Sequence, residues 1–304
     1  MGRTDRDVRR AGVRAVFCEI LGLRLRYLTA GTGPAVMLVH PVGYPAEIFA
    51  RNIDALAAGF TVVAPDLPGQ GFSAAPACWD AAPQEVMAGA VLALADHLGI
   101  DRFTVVGSSL GALVAARVAL RHPERVDGLV LIGSGSVFNE PAGQPEVLGR
   151  VFANGSSAYR DPSLETCRAR LANTCHSLPS AEDILLTQIT AYALPGALDA
   201  YRAIIDGLCA TIADPRSSAY AHLAQIRART LVMVGADDVR TSFAAHAAGA
   251  ARMPDARIVS YDACGHLPFL ERPDRFNADL LRFLSGEPVG ERPAAPPFPD
   301  GAPR

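Results

Sequence analysis

The chain has 304 residues, half of them hydrophobic and 19% charged, with a net charge of -3 and an isoelectric point near 6.2. That composition excludes a disordered or fibrous chain. The lack of clustered Lys and Arg argues against nucleic acid or an anionic membrane as partner, leaving a small molecule as the expected ligand.

Residues 1–13 read as a disordered, charged arm. Arg3, Arg6, Arg9, Arg10 and Arg14 are interrupted by Asp5 and Asp7, and no apolar stretch follows, which argues against a secretory leader. Nor does any window approach the continuous apolar length that crosses a bilayer. Six cysteines are scattered without a Cys-x-x-Cys pair. Neither a zinc site nor a disulfide framework is expected, so reduced thiols and a cytoplasmic location are the simplest reading.

In chain order, "VRAVFCEILGLRLRYLTAG" reads as two antiparallel strands meeting at Gly22. Then come short runs apolar at every position: 35–39, 61–65, 103–107, 128–133 and 230–235, with a shorter strand at 257–261. Such runs fit strands buried on both faces of a sheet. Helical spacing follows at 47–58, 85–98, 110–121 and 243–252. Alternating strands and helices predict an α/β fold whose mostly parallel sheet begins with an antiparallel hairpin, with helices on both faces.

Between about 136 and 228 the alternation breaks into polar turns ("NEPAGQPE", "RDPS", "SLPSAED") and helix-like segments such as 163–175, 181–193 and 196–213. An insertion at the carboxyl edge of the sheet predicts a helical lid over the site. Its Phe138, Phe152, Leu164, Leu185, Tyr192 and Leu194 are expected chiefly to pack lid against core. The domain should span 14–285, and the Pro-rich stretch 286–304 should be disordered.

Chemistry is concentrated in a few places. In "VVGSSLGA" the pattern Gly107-x-Ser109-x-Gly111 lies where a strand turns directly into a helix. There the middle residue is strained and its neighbours two positions away must be glycine, which selects Ser109 over Ser108 as nucleophile. A serine needs a base, and the base needs an acid to orient it. His266, in a loop after a short strand, is the expected base; His97, His122, His176, His222 and His246 lack comparable context. Asp237 and Asp238 follow the strand at 230–235, and Asp238, further into the loop, is the preferred acid. The oxyanion would be held by the N–H groups of Leu110 and of Val42, because Pro41 has none to donate. His40 is expected to shape that loop rather than to react. No metal or organic cofactor is required.

Taken together, "HPVG", "APDLPGQGFS", "GSSLG", "RHPERVDGLVLIG", "GADD" and "CGHLPFLERPDRFN" resemble the α/β-hydrolase superfamily over about residues 14–285. Within it, "FARNIDAL", "HPERVDGLVLIGSG" and the segment around His266 are similar to the meta-cleavage product hydrolases, which split a carbon–carbon bond. Serine at 109, where dehalogenases and epoxide hydrolases carry aspartate, sets those two chemistries aside. The resemblance implies a serine hydrolase of a small organic acid, ketone or ester. Through "RARLANT", it also implies that Arg170 binds a substrate carboxylate. A carboxylesterase or lactonase, a cofactor-free lyase or tailoring enzyme of secondary metabolism, and a ligand-sensing receptor that keeps the triad are the alternatives. Pairing into a homodimer is common for this fold.

Overall fold

The computed structural model describes residues 12–178, 180–216 and 218–291. One eight-stranded sheet organises the chain: β1 (Arg14–Ile20), β2 (Leu23–Ala30), β3 (Ala35–Val39), β4 (Thr61–Pro65), β5 (Phe103–Ser108), β6 (Val126–Ile132), β7 (Thr230–Gly235) and β8 (Ala256–Tyr261). Their spatial order is β1-β2-β4-β3-β5-β6-β7-β8. The first two pairings are antiparallel and the remainder parallel, as expected. Every residue of β7 is buried, which requires cover on both faces.

The helices linking these strands are α1 (Ala50–Ala57), α2 (Pro83–His97), α3 (Leu110–Arg121) and α4 (Gly135–Phe138). Four more, α5 (Gln144–Arg160), α6 (Leu164–Ala172), α7 (Glu182–Tyr192) and α8 (Ala197–Thr211), form an insertion between β6 and β7. The chain ends its regular structure with α9 (Phe243–Ala250), α10 (Pro268–Glu271) and α11 (Pro273–Leu284). Among the described residues no helix is long and apolar enough to cross a membrane.

The longest helix, α5, was not expected: its amino end lies in the turn-like "NEPAGQPE". Gly149, Asn154, Gly155, Ser156 and Ser157 all weaken intrinsic helicity, so the segment depends on its neighbour. That neighbour is Tyr201 of α8, whose ring stacks on Phe152 at 5.7 Å and whose hydroxyl donates to the Val151 carbonyl at 2.9 Å. A Cβ at Gly155 would lie 2.3 Å from the same hydroxyl, so this glycine permits the close approach. The turn "RDPS" does separate two helices, with Ser163 and Thr166 forming a reciprocal cap on α6.

At the carboxyl end, disorder was expected from residue 286, yet Glu291 exchanges both backbone hydrogen bonds with Ile258 of β8, at 2.9 and 3.0 Å. Val289 is buried beside them. The prolines misled because most of them lie further on; residues 292–304, like 1–11 of the arm, fall outside the described residues.

β3 and β5 are neighbours whose chains leave in opposite directions, β3 toward β4 and β5 toward β6. This reversal opens a crevice at the carboxyl ends of the strands, where ligands of open α/β sheets bind.

Candidate active site

Ser109 follows β5 and starts α3. Its backbone has φ 54° and ψ -112°, a left-handed φ that costs a non-glycine residue on the order of 1–3 kcal/mol. The surroundings hold it there. Its N–H donates to the Ile132 carbonyl at 2.9 Å, and its own carbonyl accepts from the Ser134 hydroxyl at 3.0 Å. A Cβ on Gly107 would come within 2.1 Å of the Gly111 carbonyl oxygen, and one on Gly111 within 2.0 Å of the Val39 oxygen. Both glycines are therefore obligatory for the bend. Ser108 is fully buried, and its hydroxyl has no hydrogen-bond partner among the described residues.

His266 follows β8 and Asp238 follows β7, so the chain brings them together only when the two strands pair. Nδ1 of His266 lies 2.7 Å from Oδ2 of Asp238, and both side chains are withdrawn from water. The second carboxylate oxygen accepts the Arg240 N–H at 2.8 Å. Burial alone would raise the Asp238 pKa, but attraction to His266 and these two hydrogen bonds outweigh it and hold the group below the ordinary value. Asp237 points elsewhere: it is exposed and sits 3.3 Å from His176. Of the two aspartates, Asp238 is the one that meets the imidazole.

Three supports of this pair were not anticipated. Gly133, at φ +50°, leaves room for it; a Cβ there would lie 3.0 Å from the His266 carbonyl oxygen and 3.2 Å from Nδ1. Glu271 is buried, its carboxylate accepting backbone N–H groups from Gly265 (3.0 Å), Leu267 (3.4 Å), His176 (2.8 Å) and Ser177 (3.3 Å). It thereby joins the His266 loop to the insertion, as does the His266 N–H donating to the Thr174 carbonyl at 3.0 Å. The signal in the sequence was a lone acid within the apolar "HLPFLE", which spacing alone does not distinguish from a helix-end charge.

His246, the third support, accepts the Ser134 N–H on Nε2 at 3.1 Å and donates from Nδ1 to the Ser242 carbonyl at 2.9 Å. Burial lowers its pKa from 6.5 to about 4. The folded protein therefore keeps His246 neutral at pH values where the unfolded chain protonates it. The resulting stability is fully present above pH 6.5 and is lost as the pH falls through about 4. A His246→Gln variant should lose about 3 kcal/mol of the difference between urea stabilities at pH 7 and pH 4. An unchanged acid slope would contradict this. Some slope should persist, because His40, also fully buried, has its pKa lowered by burial too.

The loop after β3 is arranged as its sequence suggested. His40 accepts the Leu67 N–H on Nε2 at 2.9 Å and donates from Nδ1 to the Pro41 carbonyl at 2.8 Å, so it is tied up in shaping the loop. Among the described residues the N–H groups of Val42 and Leu110 have no protein acceptor. Both residues line one cavity together with Ser109 and His266. Nε2 of His266 is buried and also lacks a partner among the described residues.

That cavity has a volume of about 30 Å³ and is lined further by Gln144, Val147, Leu148 and Val151 of α5 and Leu208 of α8. Arg170 is placed differently from expectation. It is buried against the back of the loop, donating to the Val42 carbonyl at 3.0 Å and the Tyr192 hydroxyl at 2.6 Å, with Tyr44, Tyr159, Tyr192 and Tyr201 around its guanidinium. The cation that lines the cavity is Arg240.

Residues 36–279 match the α/β hydrolase family. The chain is 32% identical over 274 residues to a 2-hydroxy-6-oxononadienedioate/2-hydroxy-6-oxononatrienedioate hydrolase of Burkholderia vietnamiensis, covering 86% of this chain and 91% of the relative. It is 33% identical over 275 residues to a 2-hydroxy-6-oxo-6-phenylhexa-2,4-dienoate hydrolase of Burkholderia cepacia, with the same coverage of each chain. The solved structure of the enzyme of that same name from a Rhodococcus strain superposes with a TM-score of 0.74 at 25% identity, covering 90% of this chain and all of that one. The matched span takes in every strand from β3 to β8 and the bend at Ser109, and the fold and the relatives agree: the chain is an enzyme of the α/β-hydrolase family.

Proposed function

We propose that the protein is a serine hydrolase in which Ser109 attacks a substrate carbonyl, and that its leading substrate class is the dienoate acids split at a carbon–carbon bond. The observation that carries this reading is the imidazole of His266, fastened to Asp238 on one side and presenting a buried, unpartnered Nε2 to the cavity that holds Ser109. The named activities of the relatives supply the substrate class.

In this scheme Nε2 takes the Ser109 proton as Oγ bonds to the carbonyl carbon. Asp238 keeps the proton on Nδ1 and stabilises the imidazolium. The developing oxyanion is met by the N–H groups of Val42 and Leu110, the latter at the amino end of α3. On collapse, His266 returns the proton to the leaving group; water then enters by the reverse route and frees the acid. For a dienoate, an enol-to-keto step precedes attack, so that the leaving carbon departs as a stabilised carbanion equivalent. The insertion α5–α8 acts as a lid, excluding water during the first half-reaction.

The test is turnover of a ring-fission dienoate and of p-nitrophenyl butyrate, together with fluorophosphonate labelling followed by peptide mapping. Dienoate turnover with the label on Ser109 is the expected result. Ester turnover alone, with the same label, would make the protein an esterase. Neither activity and no label would overturn the serine-hydrolase reading.

A further inference from the structure

Arg240 lies two residues beyond Asp238 and is half-buried. Its guanidinium donates from Nη2 to the Thr174 hydroxyl at 3.1 Å and forms no ion pair among the described residues. Thr174 in turn donates that hydroxyl to the Arg170 carbonyl at 2.9 Å, so its lone pair is turned toward Arg240. Arg240 is thus aimed from two sides: its backbone is pinned to Asp238 Oδ1 and its side chain to Thr174. Yet its charge is not neutralised by either contact.

Its position gives the charge a use. Arg240 lines the catalytic cavity with Ser109 and His266, and it also lines an adjoining surface cleft of about 540 Å³ with Asn154, Asn173 and Val239. Val147, Val151 and Arg240 are common to both spaces, so these three form the wall between cleft and cavity. The rest of the cavity wall is mostly apolar, from Val42, Leu110, Leu148 and Leu208, with Ser136 and Gln144 as the polar side chains beyond Ser109, His266 and Arg240. An unpaired guanidinium at one boundary of an apolar chamber suits a ligand with an apolar chain and a carboxylate. Arg170 is not among the residues that line this cavity; it is held behind the loop by its hydrogen bonds to Val42 and Tyr192.

Resting on the serine-hydrolase reading, we propose that Arg240 is the specificity residue that receives the substrate carboxylate, on the same loop that carries the triad acid. The site should then select anionic acyl donors over neutral ones of the same length. Because Asp238 and Arg240 share a loop, carboxylate binding also braces the acid that orients His266.

Two measurements test this. In the first, kcat/KM is compared for the p-nitrophenyl monoester of adipic acid, which carries a free carboxylate, and for p-nitrophenyl hexanoate. The wild type should favour the anionic ester, and Arg240→Gln should reduce that ratio by about 10- to 100-fold, the usual worth of a hydrogen bond to a charged group. Most of the loss should fall on KM, and Arg240→Lys should recover part of it. An equal loss on both esters would mean a purely structural role and would overturn the proposal. In the second, calorimetric binding of hexanoate needs no catalysis. It should weaken by about 10-fold or more in Arg240→Gln. Equal affinity for variant and wild type, or no binding to either, would overturn the proposal whatever the chemistry. Failure of the serine-hydrolase reading shows separately, as a wild type that turns over neither ester and takes no fluorophosphonate label.

Discussion

Replacing Ser109 by alanine should lower kcat by about 10⁴- to 10⁶-fold, the range seen when a triad nucleophile is removed. The fold should survive. The hydrogen bonds that pin this residue, to the Ile132 carbonyl and from the Ser134 hydroxyl, use the Ser109 backbone rather than its side chain. Alanine also carries no more bulk at the strained φ, so stability should change by no more than about 0.5 kcal/mol. Steady-state kinetics on whichever substrate the wild type hydrolyses, with a denaturation curve alongside, checks both halves. A variant that is folded and fully active would show that the reaction does not pass through an acyl group on Ser109. The remaining activity is informative as well: catalysis above the uncatalysed rate would report the N–H groups of Val42 and Leu110 acting alone.

Asp238→Asn should lower kcat by about 10⁴-fold, whereas Asp237→Asn should stay within about threefold of wild type. The two residues are adjacent in sequence and equal in charge, so the contrast isolates orientation. Asparagine at 238 would present either an amide N–H, which clashes with the proton on Nδ1, or a neutral oxygen that no longer stabilises the imidazolium. The first disfavours the tautomer that leaves Nε2 free to accept from Ser109, and the second withholds the charge that stabilises the imidazolium formed on proton transfer. Asp237, exposed and 3.3 Å from His176, makes the kind of surface contact that contributes at most about 1 kcal/mol. Similar losses in both variants would remove the distinction and point to the loop as a whole. In Asp238→Asn the orientation that turns the amide N–H toward Nδ1 leaves the oxygen as acceptor for the Arg240 N–H, so in that orientation the loop should hold its path and the loss should fall on catalysis rather than folding.

How far these residues were readable from sequence depended on how local their causes are. The parallel strands were legible because burial on both faces makes every position apolar, a property of each run by itself. Ser109 was legible for a similar reason: the bend, its two glycines and the helix that follows are contiguous, and steric exclusion at Gly107 operates within five residues of chain, although Gly111 is also required by the approach of the Val39 carbonyl from β3. His266 and Asp238 required one further idea, the position of their loops relative to the sheet, and strand pairing then brought them to 2.7 Å.

Other features had causes distant in sequence, and only the tertiary structure decided them. Helix α5 is intrinsically weak and forms against Tyr201, 50 residues beyond Val151. Glu271 is a buried clamp because four N–H groups from two separated segments converge on it, whereas in the sequence it is one acid among many. The residues 286–291 look like the start of a Pro-rich tail until β8 offers an edge to pair with. The two arginines illustrate the difference most directly. A match to a family segment pointed to Arg170, but the tyrosines that surround it come from the loop after β3 and from α5, α7 and α8, and together they take it out of the cavity. Arg240 gave no signal in sequence, because a cation matters to a site only through the direction of its side chain and the absence of a counter-charge nearby. Sequence thus determined the fold class and the strained bend at Ser109, whose causes lie mostly within short stretches of chain. The burial of Arg170, the aim of Asp238 and the placing of Arg240 were decided by packing, since each depends on groups from separate stretches of chain, 128 residues apart for Arg170 and Val42, 28 for Asp238 and His266, and 66 for Arg240 and Thr174.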